Sequence, residues 1–305
     1  LIWRSKIPLA VPYLVKIIED PKTDLDTLPR YFRALDFIPG TEKNRAVAEL
    51  ALMKEPQNKK RETYIIAEAI SRMPANTVMQ DAKYKQALTQ VIDSSRGTSE
   101  FIKLVQKFKA SDYYPELVGI ASRAGKSQTS VDAIRAALSL KQNALIRKSL
   151  ENKADTEKEQ NQKLDLIWAL GSAGHNSANG ILLKLITDQD EPLVDRREAV
   201  RAIAKSRSGA HALLDLAEKK DFDPQLKQTV AAAMSSTIMK DVKERSAKLY
   251  PAPPTKDNKP LPPINVLASI KGDKLDGRVM FNTKGTCAKC HVVNGMGKEV
   301  GPNLS

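Results

Sequence analysis

"NSANGILLKLITDQDEPLVDRREAVRAIAK", from Asn176 to Lys205, holds two helical stripes separated by a turn. Ile181, Leu182, Leu185 and Ile186 recur at the spacing of one helix face. After "QDEPLVDR", Ala199, Val200 and Ile203 give the inner face of a second helix. The next boundary is "FDPQLKQTV", where Asp223 suits an N-cap and Pro224 the first helical position, at which a missing N–H costs nothing. The unit is a helix pair.

The pair recurs. "YFRALDF", "IIAEAIS", "FIKLVQKF", "AIRAALSL", "LIWALGS", "AVRAIAK" and "TVAAAMS" each have a small-apolar centre. Their central residues are Leu35, Ile70, Leu104, Leu138, Leu170, Ile203 and Ala233, with gaps of 35, 34, 34, 32, 33 and 30 residues. Helix pairs at that period cannot bury their faces alone and must stack on their neighbours as an α-solenoid. Alternation over strand lengths is hardly seen. "VDRREAVRAIAK" with its Ser/Gly turn resembles HEAT repeats, over roughly residues 8–247.

The bulk composition agrees. A chain of 305 residues with 28% charged and only 5% aromatic side chains favours small-side-chain helix packing over a sandwich or barrel. No uncharged apolar run nears the ~20 residues of a membrane helix. "VAAAMSSTIM", from Val230 to Met239, is the longest candidate. The net charge of +13 fits either a polyanionic partner or Lys and Arg coating many exposed helices. No run of four basic residues occurs, so the coating is the expectation and a nucleic-acid partner is not. Trp3 and Trp168 are expected as core or interface aromatics, His211 on a helix surface and His175 in a solvated loop. "ENKADTEKEQNQK" is expected as a loop with a solvated helix start.

The repeat pattern stops near Leu249. We assign the solenoid to residues 1–249, a proline-rich extended connector to 250–264 and a second module to 265–305. That module contains both cysteines of the chain, in Cys287-Ala-Lys-Cys290-His291. C-x-x-C-H suits covalent attachment of one haem c: two thiols meet the two vinyl groups and the adjacent imidazole reaches the iron. Three rivals are weighed. A thioredoxin-like dithiol would follow a strand at a helix N-terminus, and those flanks are missing. A structural zinc site needs four ligands, where only three lie locally and two are adjacent. The third is a chance arrangement in a cytosolic protein.

"GDKLDGRVMFNTKGTCAKCHVVNGMGKEVGPNLS" resembles the front half of a class I cytochrome c. The resemblance matches Gly277 and Phe281 to its first helix. It implies that the Pro302 carbonyl accepts a hydrogen bond from His291 Nδ1–H and that Leu304 packs on the proximal side of the haem. The arrangement as a whole is similar to large planctomycete and verrucomicrobial proteins with HEAT-like repeats before a haem-binding domain, often behind a propeller resembling sugar dehydrogenases. "WRSKIPLAVPYL" reads as the interior of a longer chain, and only fourteen residues follow His291. Met296 lies too near His291 to serve as the distal ligand, which is expected beyond Ser305.

These features imply an all-α, exported or periplasmic electron-transfer chain. Its solenoid would link a redox partner or upstream dehydrogenase domain to the haem module. The alternatives are a basic binding scaffold without a redox role and an enzyme acting at an open haem iron.

Overall fold

The computed structural model describes residues 6–251, 262–298 and 301–305. Trp3 and most of the proline-rich connector lie outside these residues. The chain divides into two compact units, Leu1–Pro251 and Ala252–Ser305.

The first unit is all-helical. Its helices are α1 (Val11–Glu19), α2 (Leu28–Asp36), α3 (Thr41–Leu50), α4 (Lys59–Arg72), α5 (Ala75–Gln80), α6 (Ala82–Ser94), α7 (Ser99–Phe108) and α8 (Tyr114–Arg123). They continue as α9 (Gln128–Ser139), α10 (Asn143–Glu151), α11 (Glu157–Ser172), α12 (Asn176–Thr187), α13 (Leu193–Ile203), α14 (Arg207–Ala217), α15 (Pro224–Ser235) and α16 (Lys240–Leu249). From α7 onward two rows are plain. One runs α7, α9, α11, α13, α15, each helix packed on the next. The other runs α8, α10, α12, α14, α16. Helices α2 and α4 prolong the first row, and a short extra helix, α5, interrupts the first half.

All seven central residues of the sequence repeat fall in that first row. Leu35, Ile70, Leu104, Leu138, Leu170 and Ile203 are buried, and Ala233 is half-buried. The helices begin where local chemistry stops the preceding turn. Asp223 accepts from Gln225 N at 2.8 Å with Pro224 behind it, and Thr156 and Glu159 form a reciprocal capping box before α11. Helix α13 starts at Leu193, inside the stretch expected to be a turn.

Two kinds of contact join neighbouring repeats. The first is backbone against backbone: a Cβ on Gly171 in α11 would stand 2.3 Å from the Ala202 carbonyl oxygen of α13. The second is a buried arginine on the carbonyls at a helix end, which the helix itself leaves without donors. Arg61 bonds the carbonyls of Ile18 and Asp20 and pairs with Glu55. Arg196 Nε bonds the Ile186 carbonyl at 3.1 Å, while its guanidinium pairs with the α15 cap Asp223 at 2.8 Å. One side chain thus links α12, α13 and the N-cap of α15. The carbonyls at the C-terminal ends of the first row are met in the same way: Lys107 donates to Ser71 O and Arg135 Nε to Ala173 O.

Two glycines give opposite expectations. Gly171→Ala should lower stability by about 1–3 kcal/mol, because two backbones must separate to admit the methyl group. Gly180→Ala in α12 meets nothing within 4 Å. It should raise stability by about 0.5–1 kcal/mol through lost unfolded-state entropy. Thermal or urea unfolding of both variants checks the pair. Equal effects would mean that the α11–α13 contact is not a tight one.

Candidate functional site

The second unit is built around one turn. Two helices lead to it, α17 (Ile264–Ser269) and α18 (Lys274–Asn282). Asp273 caps α18 by accepting from Leu275 N at 2.7 Å and Asp276 N at 3.0 Å. The chain then reverses tightly. Gly285 N bonds the Met280 carbonyl at 2.7 Å, and a Cβ there would come within 2.8 Å of that oxygen. Thr286 takes a left-handed backbone conformation, φ +53°, and a 3-10 turn spans Cys287–Lys289.

That turn gathers the two thiols and the imidazole. Cys290 N and His291 N both bond the Cys287 carbonyl, at 3.0 and 2.9 Å. Cys287 is exposed, Cys290 is half-buried and both are free thiols. Strands β1 (Val292–Val293) and β2 (Met296–Gly297) then fold back as a hairpin, with Val293 opposite Met296. Lys298 N donates to Ala288 O, and Gly301 N to Cys290 O, so the returning chain lies against the Cys–His turn.

His291 is fixed by that return. Its Nδ1 lies 2.8 Å from the Pro302 carbonyl oxygen. A carbonyl only accepts, so Nδ1 carries a proton, and in the neutral ring the lone pair is on Nε2. Gly301 packs flat on the ring, and a Cβ there would fall 2.5 Å from Cε1. Leu304 N donates to Val292 O at 2.9 Å, while its side chain is exposed. The Met296 thioether accepts from the Arg278 guanidinium at 3.3 Å. Gly277 and Phe281 both lie on α18, and the ring of Phe281 is half-buried.

None of the described residues of this unit is fully buried. Leu275, Val279 and Met280 of α18 are exposed with Leu304. Among the described residues, no three His, Cys, Asp or Glu side chains converge to hold a metal ion. The turn therefore presents two thiols and one imidazole nitrogen as separate points of attachment.

In the first unit the other sequence candidates have structural duties. His175 is not a free loop residue: it caps α12, its Nδ1 accepting from Ser177 N at 3.3 Å. His211 is half-buried on α14, with Nε2 at 2.8 Å from Asp241 Oδ2. Trp168 is half-buried against the core, and the Lys205 ammonium sits 4.4 Å from its ring centre. The segment read as a solvated helix start hides Lys163, buried between Glu191 at 2.8 Å and Asp195 at 3.0 Å. Asp195, Ala199 and Ile203 share one stripe of α13, as Lys163 and Ile167 do in α11. A charged residue in line with an apolar stripe was the signal available in the sequence.

No family model matches the chain, and no curated protein matches it. A solved structure of human deoxyhypusine hydroxylase in complex with glycerol is similar at 14% identity, with a TM-score of 0.26. That match covers 79% of this chain and 95% of the other. At that score it carries no argument about this site.

Gly301→Ala should displace the imidazole and break its bond to Pro302. Imidazole 15N shifts measure the outcome directly. In its neutral form the His291 ring of the parent chain should carry its proton on Nδ1, and the variant should lose that preference. Unchanged shifts would mean that Gly301 does not set the ring.

Proposed function

We propose that the second unit carries one covalently attached haem c and that the chain moves single electrons, with the solenoid as its scaffold. The observation that carries this reading is the His291 geometry: a fixed Nδ1–H, a free Nε2 and two thiols on the same short turn. The chemistry of that donor set fits. Cys287 and Cys290 would hold the group through two thioether bonds, and His291 Nε2 would be the axial ligand. The Pro302 carbonyl would raise the basicity of that ligand and hold its plane. Bound haem supplies a one-electron couple whose potential follows axial ligation, burial and hydrogen bonding.

The rest of the unit suits this role. Leu304 and the exposed apolar residues of α18 offer surface for the faces of a large flat apolar group. The likeness of 272–305 to the front half of a class I cytochrome c supports the same assignment. On this reading Met296, whose sulfur is engaged by Arg278 of α18, is not assigned as the distal ligand. Covalent haem attachment takes place on the outer side of the bacterial inner membrane, so the chain would be periplasmic or exported. An upstream dehydrogenase domain, as in the planctomycete-type proteins that this chain resembles, would be a natural electron source.

The charge pattern favours this reading over a nucleic-acid scaffold. Along the first row acidic and basic groups alternate: Glu68 pairs with Arg72, Asp132 with Arg135 and Glu198 with Arg201. A face of mixed sign makes a poor track for a phosphate backbone. The second unit differs. Lys271, Lys274, Arg278, Lys284, Lys289 and Lys298 are all exposed, and the Asp273 carboxylate is engaged by its helix cap. That excess would steer an acidic redox partner.

The test is a reduced pyridine haemochrome spectrum after acid–acetone extraction, on protein made in a host with haem c maturation. Colour should stay on the chain, with an α-band at about 550 nm. Cys287→Ala and Cys290→Ala should each shift that band, and the double variant should release the colour. Extraction of all colour from a well-folded parent chain would end the haem c assignment.

A further inference from the structure

We propose that α16, the last helix of the solenoid, is a latch held by exposed ion pairs and released by salt. Its apolar hold is slight. The α16 residues that are fully buried are Val242 and Ser246, one of them polar. Helix α12, in the same row, buries Ile181, Leu182, Leu185 and Ile186, and α14 buries Leu213 and Leu214 between alanines. Met239, Leu249 and Tyr250, at the two ends of α16, pack partly on the core, and α16 also lies against α15. The Tyr250 hydroxyl is itself buried with no hydrogen-bond partner among the described residues, which opposes docking.

Charge supplies what packing does not. Asp241 of α16 meets two groups of α14, Arg207 at 2.9 Å and His211 at 2.8 Å. One turn on, Arg245 of α16 reaches back to Asp215 at 2.6 Å and Glu218 at 2.8 Å. Every partner in this set is exposed by 30% or more of its side chain, so dissolved ions reach the three arginine pairs as well as the His211–Asp241 hydrogen bond. The remaining charges of α16 do not bridge to α14: Lys240 pairs with Glu244 within the helix, and Lys243 and Lys248 are exposed. No side chain caps the start of α16. A ten-residue helix is too short to persist alone, so release is also local unfolding.

The consequence is a change in tether length. Docked as a helix, α16 spans about 15 Å, whereas the same residues extended reach about 33–36 Å. Release therefore lengthens the chain between α15 and the second unit. On the haem reading proposed above, that widens the reach of the redox module toward a partner. The latch itself does not depend on haem.

Hydrogen exchange resolved by peptide on the full chain tests it. Between about 20 mM and about 500 mM salt, α16 amides should exchange about tenfold faster while those of α12 and α14 hold their rates. Arg245→Gln should give a similar acceleration at low salt and a flatter salt response. Two outcomes would overturn the latch: α16 rates indifferent to salt, or α14 and α16 accelerating together as one opening unit. Because amides are the readout, failure of haem attachment would leave the result interpretable.

Discussion

A helix pair of about thirty residues has more apolar surface than it can cover by itself, and the order of the first unit follows from that shortage. Each pair must be closed by the next. One close closure is the approach of α11 to α13, where Gly171 lets one backbone lie on the Ala202 carbonyl of the other. Small residues at the centres of the first-row helices serve the same end. Ala69, Ala136, Ala169 and Ala202 are all buried there beside larger neighbours. Close approach then brings helix ends together, and their unpaired carbonyls need donors. Arg61 and Arg135 supply them across a repeat boundary, and Arg196 within the α12–α13 pair. Packing and polar satisfaction are therefore one problem here. A change at either reaches the other.

This explains what the sequence made visible. A period near thirty-three, read from apolar centres, picks out one complete row of helices, because those centres are what stacking buries. The N-caps were legible for a local reason: Asp223 and Pro224 act within one turn. Charges that act between repeats were not. Lys163 and Glu191 lie 28 residues apart and Gln160 and Asp195 lie 35 apart, so no local pattern announces them. His175 was missed for the opposite reason. Its role is local, but imidazole is an unusual cap, and a turn rich in Gly, Ser and Asn reads as solvent-facing.

The second unit was legible differently. C-x-x-C-H is a covalent-chemistry pattern, and its reading needs no fold. The Pro302 carbonyl was placed by resemblance, and the structure has it 2.8 Å from His291 Nδ1. The backbone conditions for that bond were not visible. Gly297 passes so close to the His291 carbonyl that a Cβ would stand 2.0 Å away, and Gly301 lies on the ring. Sequence shows that these positions are glycine but not what each one must clear. The Arg278–Met296 contact joins residues 18 positions apart and has no signature either.

The net charge of +13 reads as one number, yet the two units hold their charge in different ways. In the first, a set of arginines and lysines does structural duty, paired with acids on the same or a nearby helix. Burial of such a cation is tolerable only because the carboxylates and carbonyls are fixed by the stack. Lys163 shows this: in place it joins α11 to α13 and to the turn before it, and without Glu191 and Asp195 it would be a charge taken out of water for nothing. In the second unit six cations face solvent, and from Lys271 onward only Asp273, Asp276 and Glu299 oppose them. Solvent-facing charge adds little to folding and much to long-range attraction. The same residue types therefore bind helices to one another in one unit and face solvent in the other. The difference comes from whether a neighbouring helix stands within reach.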